Sequence, residues 1–209
     1  MSLRIASGAF AASLSMAAHA VNVSEPPDLS NDWTAPTVIA LDPGSNWVRG
    51  ASGYSGSVLD RDFFRIDVPV GHQLSSLVLG LGTEVGGAFS FIGVQAGNGL
   101  TIDPNTVSNG SALLGWHLYG SADKGTNILP AIGGGADKIG FSGALPSGSY
   151  TFWVQELAPS FPGDAFPPYP YELNFNVTAV PEPGAWALLL GGLAAIGRRV
   201  ARRSIVPAA

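Results

Sequence analysis

Asp60 and Asp62 stand two residues apart, which in an extended chain puts both carboxylates on one face, about 6.5–7 Å apart at Cα. Paired carboxylates at such a separation are compatible with the acid/base work of glycoside hydrolysis. Nothing else in the sequence marks a sugar cleft, and a polar strand entry is the plainer reading. With Asn31 and Asp32 the same pair forms a set of hard oxygen ligands, the type a calcium ion takes in number. These four converge if the first strand runs beside the Asp60 turn, so calcium is the one cofactor the residues suggest. Other chemistry is poorly supplied. A Ser-His-Asp triad needs a histidine in contact with a serine, and beyond the first twenty residues only His72 and His117 occur, far apart in the chain. Gly140-Phe141-Ser142-Gly143-Ala144 lacks the last glycine of a nucleophile elbow, and no His pair has zinc spacing. The absence of Cys removes disulfides, thiol catalysis and Cys-ligated metal. The glycine runs do not continue into a P-loop or a dinucleotide fingerprint. Trp153, on what reads as the polar face of its strand, and Tyr169, in the aromatic–proline run 161–171, are candidate contacts for a glycan or partner. The plainer reading of that run is a flap over the edge of the domain.

The segments that must position these residues are unevenly charged. The 209 residues are 46% hydrophobic and 12% charged, with 28 Gly and 16 Pro. Four arginines (198, 199, 202, 203) cluster near the C-terminus. Residues 21–180 keep five cationic side chains against fourteen carboxylates, a formal balance of −9. So acidic a body argues against a nucleic-acid partner, whose phosphates must be neutralised by Lys and Arg.

Both ends read as addresses. Arg4, an apolar run over residues 5–16, and Ala18-His19-Ala20 have the order of a secretory signal peptide with its A-x-A cleavage site. Signal peptidase is thus an expected partner, and the mature chain starts near Val21. At the other end Val180-Pro181-Glu182-Pro183 precedes an apolar stretch, residues 184–197, and then Arg198-Arg199. Fourteen apolar residues make a helix of ~21 Å, short of the ~30 Å hydrocarbon core, and the arginines extend its reach. The positive-inside rule keeps those arginines cytoplasmic and residues 21–180 on the outer side.

This arrangement resembles the PEP-CTERM sorting signal of Gram-negative bacteria: a Pro-Glu-Pro box, a short transmembrane helix and a basic tail. The resemblance covers about residues 180–203. It implies that an exosortase, a membrane cysteine protease, removes the tail after a transient stay in the inner membrane. The product then belongs to the cell surface or the exopolysaccharide matrix. A permanent single-span anchor is the competing reading. A GPI signal fits less well, because it ends in its hydrophobic tail with no basic cluster behind it.

Between the addresses the apolar pattern has period two. Residues 63–69, 149–156 and 171–178 alternate cleanly, each with one face expected to be wet, and 37–41, 74–81, 89–95, 113–119 and 138–141 are weaker candidates. Turn chemistry separates them, as at Asp42-Pro43-Gly44, Pro69-Val70-Gly71 and Pro146-Ser147-Gly148. Seven to nine short strands at this spacing predict an all-β fold, a β-sandwich of jelly-roll or immunoglobulin-like type. In that pattern Pro69 ends a ladder, Gly71 permits a turn and a new strand enters at Leu74.

Within this region Asn31-Asp32, then Asp60-Arg61-Asp62-Phe63-Phe64-Arg65-Ile66-Asp67-Val68-Pro69-Val70-Gly71-His72-Gln73-Leu74, and finally Gly148-Ser149-Tyr150 with Tyr171-Glu172-Leu173, are similar to the bacterial pre-peptidase C-terminal (PPC) domain. The resemblance implies a compact β-sandwich that serves as an accessory or binding module, some members binding calcium near the N-terminal segment. The expected organisation is a signal peptide over 1–20, a PPC-like domain over 21–179 and a sorting signal over 180–209. The expected role is a non-enzymatic surface or matrix protein. The alternative is a calcium- or carbohydrate-binding accessory module, with a glycan-acting enzyme behind it.

Overall fold

A computed structural model describes residues 20–55, 58–106, 110–156, 168–180 and 191–194. The fold is all-β. Among the described residues there are nine strands: β1 (Asn22–Ser24), β2 (Thr37–Ala40), β3 (Gly44–Ser55), β4 (Val58–Asp60), β5 (Asp62–Leu79), β6 (Ser90–Ala96), β7 (Gly115–Tyr119), β8 (Leu145–Glu156) and β9 (Tyr169–Ala179). A 3-10 turn (Ser121–Asp123) and a one-turn helix α1 (Leu129–Gly133) follow β7. The strands are ordered β1-β3-β9-β5-β8-β6-β7, with β2 added along β5 and β4 along β3.

β5 organises the whole. Its first half pairs with β8 from Asp62↔Val154 to Val68↔Gly148, and its second half pairs with β9 from His72↔Ala179 to Leu79↔Leu173. The β8 ladder breaks after Val68 and resumes only at Gln73↔Pro146 and Leu74↔Leu145, as β9 joins from His72. The break falls at Pro69, which has no N–H to give the ladder, and at Gly71, whose φ of +75° an L-residue resists. The expected break is therefore a corner within one long strand. The sheet folds back on itself there, and residues from its two parts meet. Phe152 of β8 and Phe175 of β9 pack edge to face at 5.3 Å between ring centroids, and Phe64 stacks on Phe152 at 5.6 Å. Around them Ile66, Leu74, Leu77, Leu79, Ile92, Val154 and Leu173 are fully buried. These are the inward residues of the period-two pattern, and such packing dominates the stability of a β-domain.

Several expectations need correction. Segment 138–141 is not a strand; it is tied to the two residues before β7 through the bonds Ile139 N–H to Leu113 O and Gly140 N–H to Leu114 O. Pro146-Ser147-Gly148 lies inside β8 and is no separator. The face of β8 carrying Trp153 is not wet: Thr151 is fully buried and Trp153 is 6% exposed. Trp153 joins Phe63, Leu100 and Leu113 in a second apolar cluster, with Trp33, Phe91, Ile102 and Trp116 around it. The segment between β6 and β7 supplies Leu100, Ile102 and Leu113, so a loop covers the face that alternation alone leaves open. β9 keeps the expected wet face, with Glu172, Asn174 and Asn176 half-exposed.

β3 is the long strand that alternation did not indicate, as it did not indicate the short β1 and β4. Its sequence, GSNWVRGASGYS, is rich in Gly and Ser, residues with little strand preference. It is held by nine consecutive pairings with β9, from Gly44↔Val177 to Ser52↔Tyr169. Asn46 anchors its start. The fully buried amide donates to the carbonyls of Asp42, Gly44 and Phe175 and accepts from the N–H groups of Asp42 and Val21.

Candidate acidic cation site

Parallel pairing of β1 with β3 (Val23↔Val48) carries the chain into Glu25-Pro26-Pro27-Asp28 at the end of the molecule opposite the β5 corner. Glu25 is fixed there by backbone donors: Leu29 N–H gives to Oε1 (3.0 Å) and Ala51 N–H to Oε2 (2.8 Å). Asp62, first residue of β5, turns inward to meet it. Glu25, Asp28 and Asp62 each offer a carboxylate oxygen, and the three oxygens lie within 4.8 Å of one another.

Asp62 has no exposed surface, and neither of its carboxylate oxygens has a hydrogen-bond partner. The buried Tyr171 hydroxyl stands beside it, equally without a partner in good geometry. Burial, followed by the neighbouring charge of Glu25, pushes the Asp62 carboxyl up to about 9; the hydroxyl of Tyr171 acts weakly the other way. Glu25 is raised as well, chiefly by burial and despite its two backbone donors. A buried carboxylate without donors is costly, and a cation is the partner that would satisfy all three groups. The donor set is all oxygen and includes three carboxylates. Calcium–oxygen distances of ~2.3–2.6 Å allow two ligands of one ion to stand up to about 5 Å apart, so the spacing fits that ion. Water or backbone carbonyls would complete a coordination number of about 6–8. A cavity of about 290 Å³ opens over Glu25 and Tyr171, bounded by Arg49 and Glu172, which pair at 3.2 Å.

Of the four expected ligands, only Asp62 belongs to this group. Asn31 and Asp60 do meet, but as a turn clamp: Asn31 Nδ2 donates to Asp60 Oδ1 (2.9 Å), and Arg61 N–H donates to Asn31 Oδ1 (2.7 Å). Asp60 stands near enough for its charge to act on Asp62, and burial raises its own pKa. Asp32 closes its own turn by accepting from the Thr34 N–H and hydroxyl, which hold its carboxyl below the usual range. Glu25 and Asp28 were missed. The available signal was two acidic residues flanking a Pro-Pro pair directly after a short apolar alternation.

The expected aromatic contacts fare differently. Trp153 is interior, as described, and is withdrawn as a surface platform. Tyr169 is half-buried, with its ring against Gly86, where a Cβ would come within 2.3 Å of it. Ala20 and Val180 are described, but Ala18, Pro181, Glu182, Pro183, Arg198 and Arg199 lie outside the described residues, as does most of the aromatic–proline run. Among the described residues no helix is long and apolar enough to cross a membrane. A second cavity, about 500 Å³, lies between Trp116, His117 and Lys138. Its lysine ammonium is already engaged by the carbonyls of Trp116 and Ile132, at 2.6 and 3.1 Å.

No family model, no curated protein and no solved structure matches the chain.

Proposed function

We propose that this chain is an exported, non-enzymatic β-sandwich of jelly-roll or immunoglobulin-like type, displayed at the surface or in the exopolysaccharide matrix of a Gram-negative bacterium. Its molecular activity is to bind calcium at Glu25, Asp28 and Asp62. The observation that carries this is the buried, donor-free Asp62 carboxyl facing two further carboxylates. The ion would tie the segment after β1 to the start of β5, so the site belongs to an accessory module that is rigid only where calcium is available.

Delivery rests on the two addresses. Signal peptidase cuts near Ala20, the tail holds the chain in the inner membrane, and exosortase releases it at Pro181–Pro183. The position of the box supports this. It begins directly after Val180, which is hydrogen-bonded to the domain (Val180 N–H to Gly71 O, 2.9 Å). Cleavage there leaves β9 whole.

Calorimetric titration of the purified chain with calcium, repeated on Asp62→Asn, tests the binding. Saturable heat that the variant lacks is the expected result; no heat in the parent and a melt unchanged by EDTA refute it. Intact mass of the surface fraction tests delivery, and retention of residues 184–209 in a host with exosortase refutes that part.

A further inference from the structure

The chain leaves the domain at the β5 corner. Val180 bonds to Gly71 O, and Ala179 pairs with His72. Val70, at the tip of that corner, is 92% exposed and Val180 is 44% exposed, two exposed apolar side chains at this end of the domain. Only Pro181, Glu182 and Pro183 separate Val180 from the apolar segment that starts at Gly184. Four residue steps span at most about 14 Å even when fully extended. The polar headgroup layer of a bilayer takes roughly 6 Å of that. If residues 184–197 are the membrane segment, as the sorting reading has it, the corner is left within several ångströms of the headgroups.

The charge distribution suits that position. The strands that build the corner carry no carboxylate on residues 68–80, 145–155 or 173–180, in a body that is otherwise formally −9. Of the carboxylates nearest the corner, Asp67 is paired with Arg65 at 3.0 Å and accepts the Ser149 hydroxyl at 2.7 Å. Asp42, in the turn between β2 and β3, and Glu182 of the box are the two others, against the larger acidic group around Glu25, Asp28, Asp60 and Asp62. The acidic cluster sits at the start of β5, roughly 25 Å before the corner at ~3.3 Å per residue. An anionic lipid surface would repel that end and tolerate this one.

We propose that the corner formed by residues 69–72 with Ala179 and Val180 docks on the lipid surface while the tail is in place, Val70 entering the headgroup layer. The inference rests on the sorting reading and adds to it an orientation: corner down, acidic site outward. The chain lacks cysteine, so one introduced thiol carries one probe. The test uses the full chain reconstituted in phosphatidylethanolamine–phosphatidylglycerol vesicles, with an environment-sensitive fluorophore on Val70→Cys or on Leu81→Cys. Leu81 is 77% exposed and follows the far end of β5. Expected are a blue-shifted emission and quenching by spin-labelled lipid at position 70, with position 81 behaving as in buffer. Equal quenching at the two positions in protein that floats with the vesicles overturns the corner and leaves the anchor standing. Protein that does not float with the vesicles overturns the sorting reading and the corner with it.

Discussion

Gly50 makes room for Tyr171. A Cβ at position 50 would stand 2.5 Å from the Tyr171 hydroxyl oxygen and 3.0 Å from Asp62 Oδ2. The glycine therefore sets how closely β3 approaches the pair at the head of β5, and no unusual backbone angle is involved. Gly50→Ala should destabilise the domain by about 1–3 kcal/mol through overpacking. Calcium affinity should fall with it, because Asp62 is displaced. Urea unfolding with and without calcium measures both effects.

Asp62 should govern the pH dependence of stability. Its folded-state pKa, about 9, lies above the ordinary value of 3.8, so between those values the folded state holds a proton that the unfolded state releases. Stability without a bound cation accordingly falls as pH rises through this window. In EDTA, Asp62→Asn should match the parent near pH 4 and exceed it by about 1–3 kcal/mol at pH 8.5, the usual scale for a buried group lacking partners. Saturating calcium should reverse the order at pH 8.5, since the ion stabilises only the parent. Thermal melts at the two pH values provide the check.

Asn46→Ala should cost about 2–4 kcal/mol, because it strips partners from three buried or half-buried carbonyls and two N–H groups in one step. Loss of amide protection should concentrate at Val21 and Asp42, which hydrogen exchange resolves.

Trp153→Ala should cost about 3–5 kcal/mol, the usual scale for truncating a buried aromatic. Trp153 packs on Phe91 at 4.6 Å and Phe63 at 6.1 Å. A denaturation midpoint unchanged from the parent would contradict the second apolar cluster.

What the sequence made legible follows its physics. The inward rows of β5, β8 and β9 were visible because Phe64-Ile66-Val68, Tyr150-Phe152-Val154 and Leu173-Phe175-Val177 alternate with polar residues. β3 was not, since a central strand can be held by its neighbours' hydrogen bonds with Gly and Ser at inward positions. Trp153 was assigned to the correct side of its strand, but alternation says nothing about a loop that returns to cover that side. Asp62 was legible as an acidic residue at a strand entry. Its partners were not, because Glu25 and Asp28 arrive from 37 and 34 positions earlier, through a parallel pairing that no local pattern encodes.

The position of β9 between β3 and β5 has a consequence for the order in which the molecule can form. Of the described strands the last to be made is an interior one. A chain emerging N-terminus first presents β3 and the second half of β5 with their shared neighbour still missing, and the aromatic core still lacking Phe175. Closure must wait for residues 169–179, and pairings so distant along the chain are slow to form. Until β9 arrives, β3 and the second half of β5 keep an open edge each, and the two parts of the sheet lack the strand that joins them.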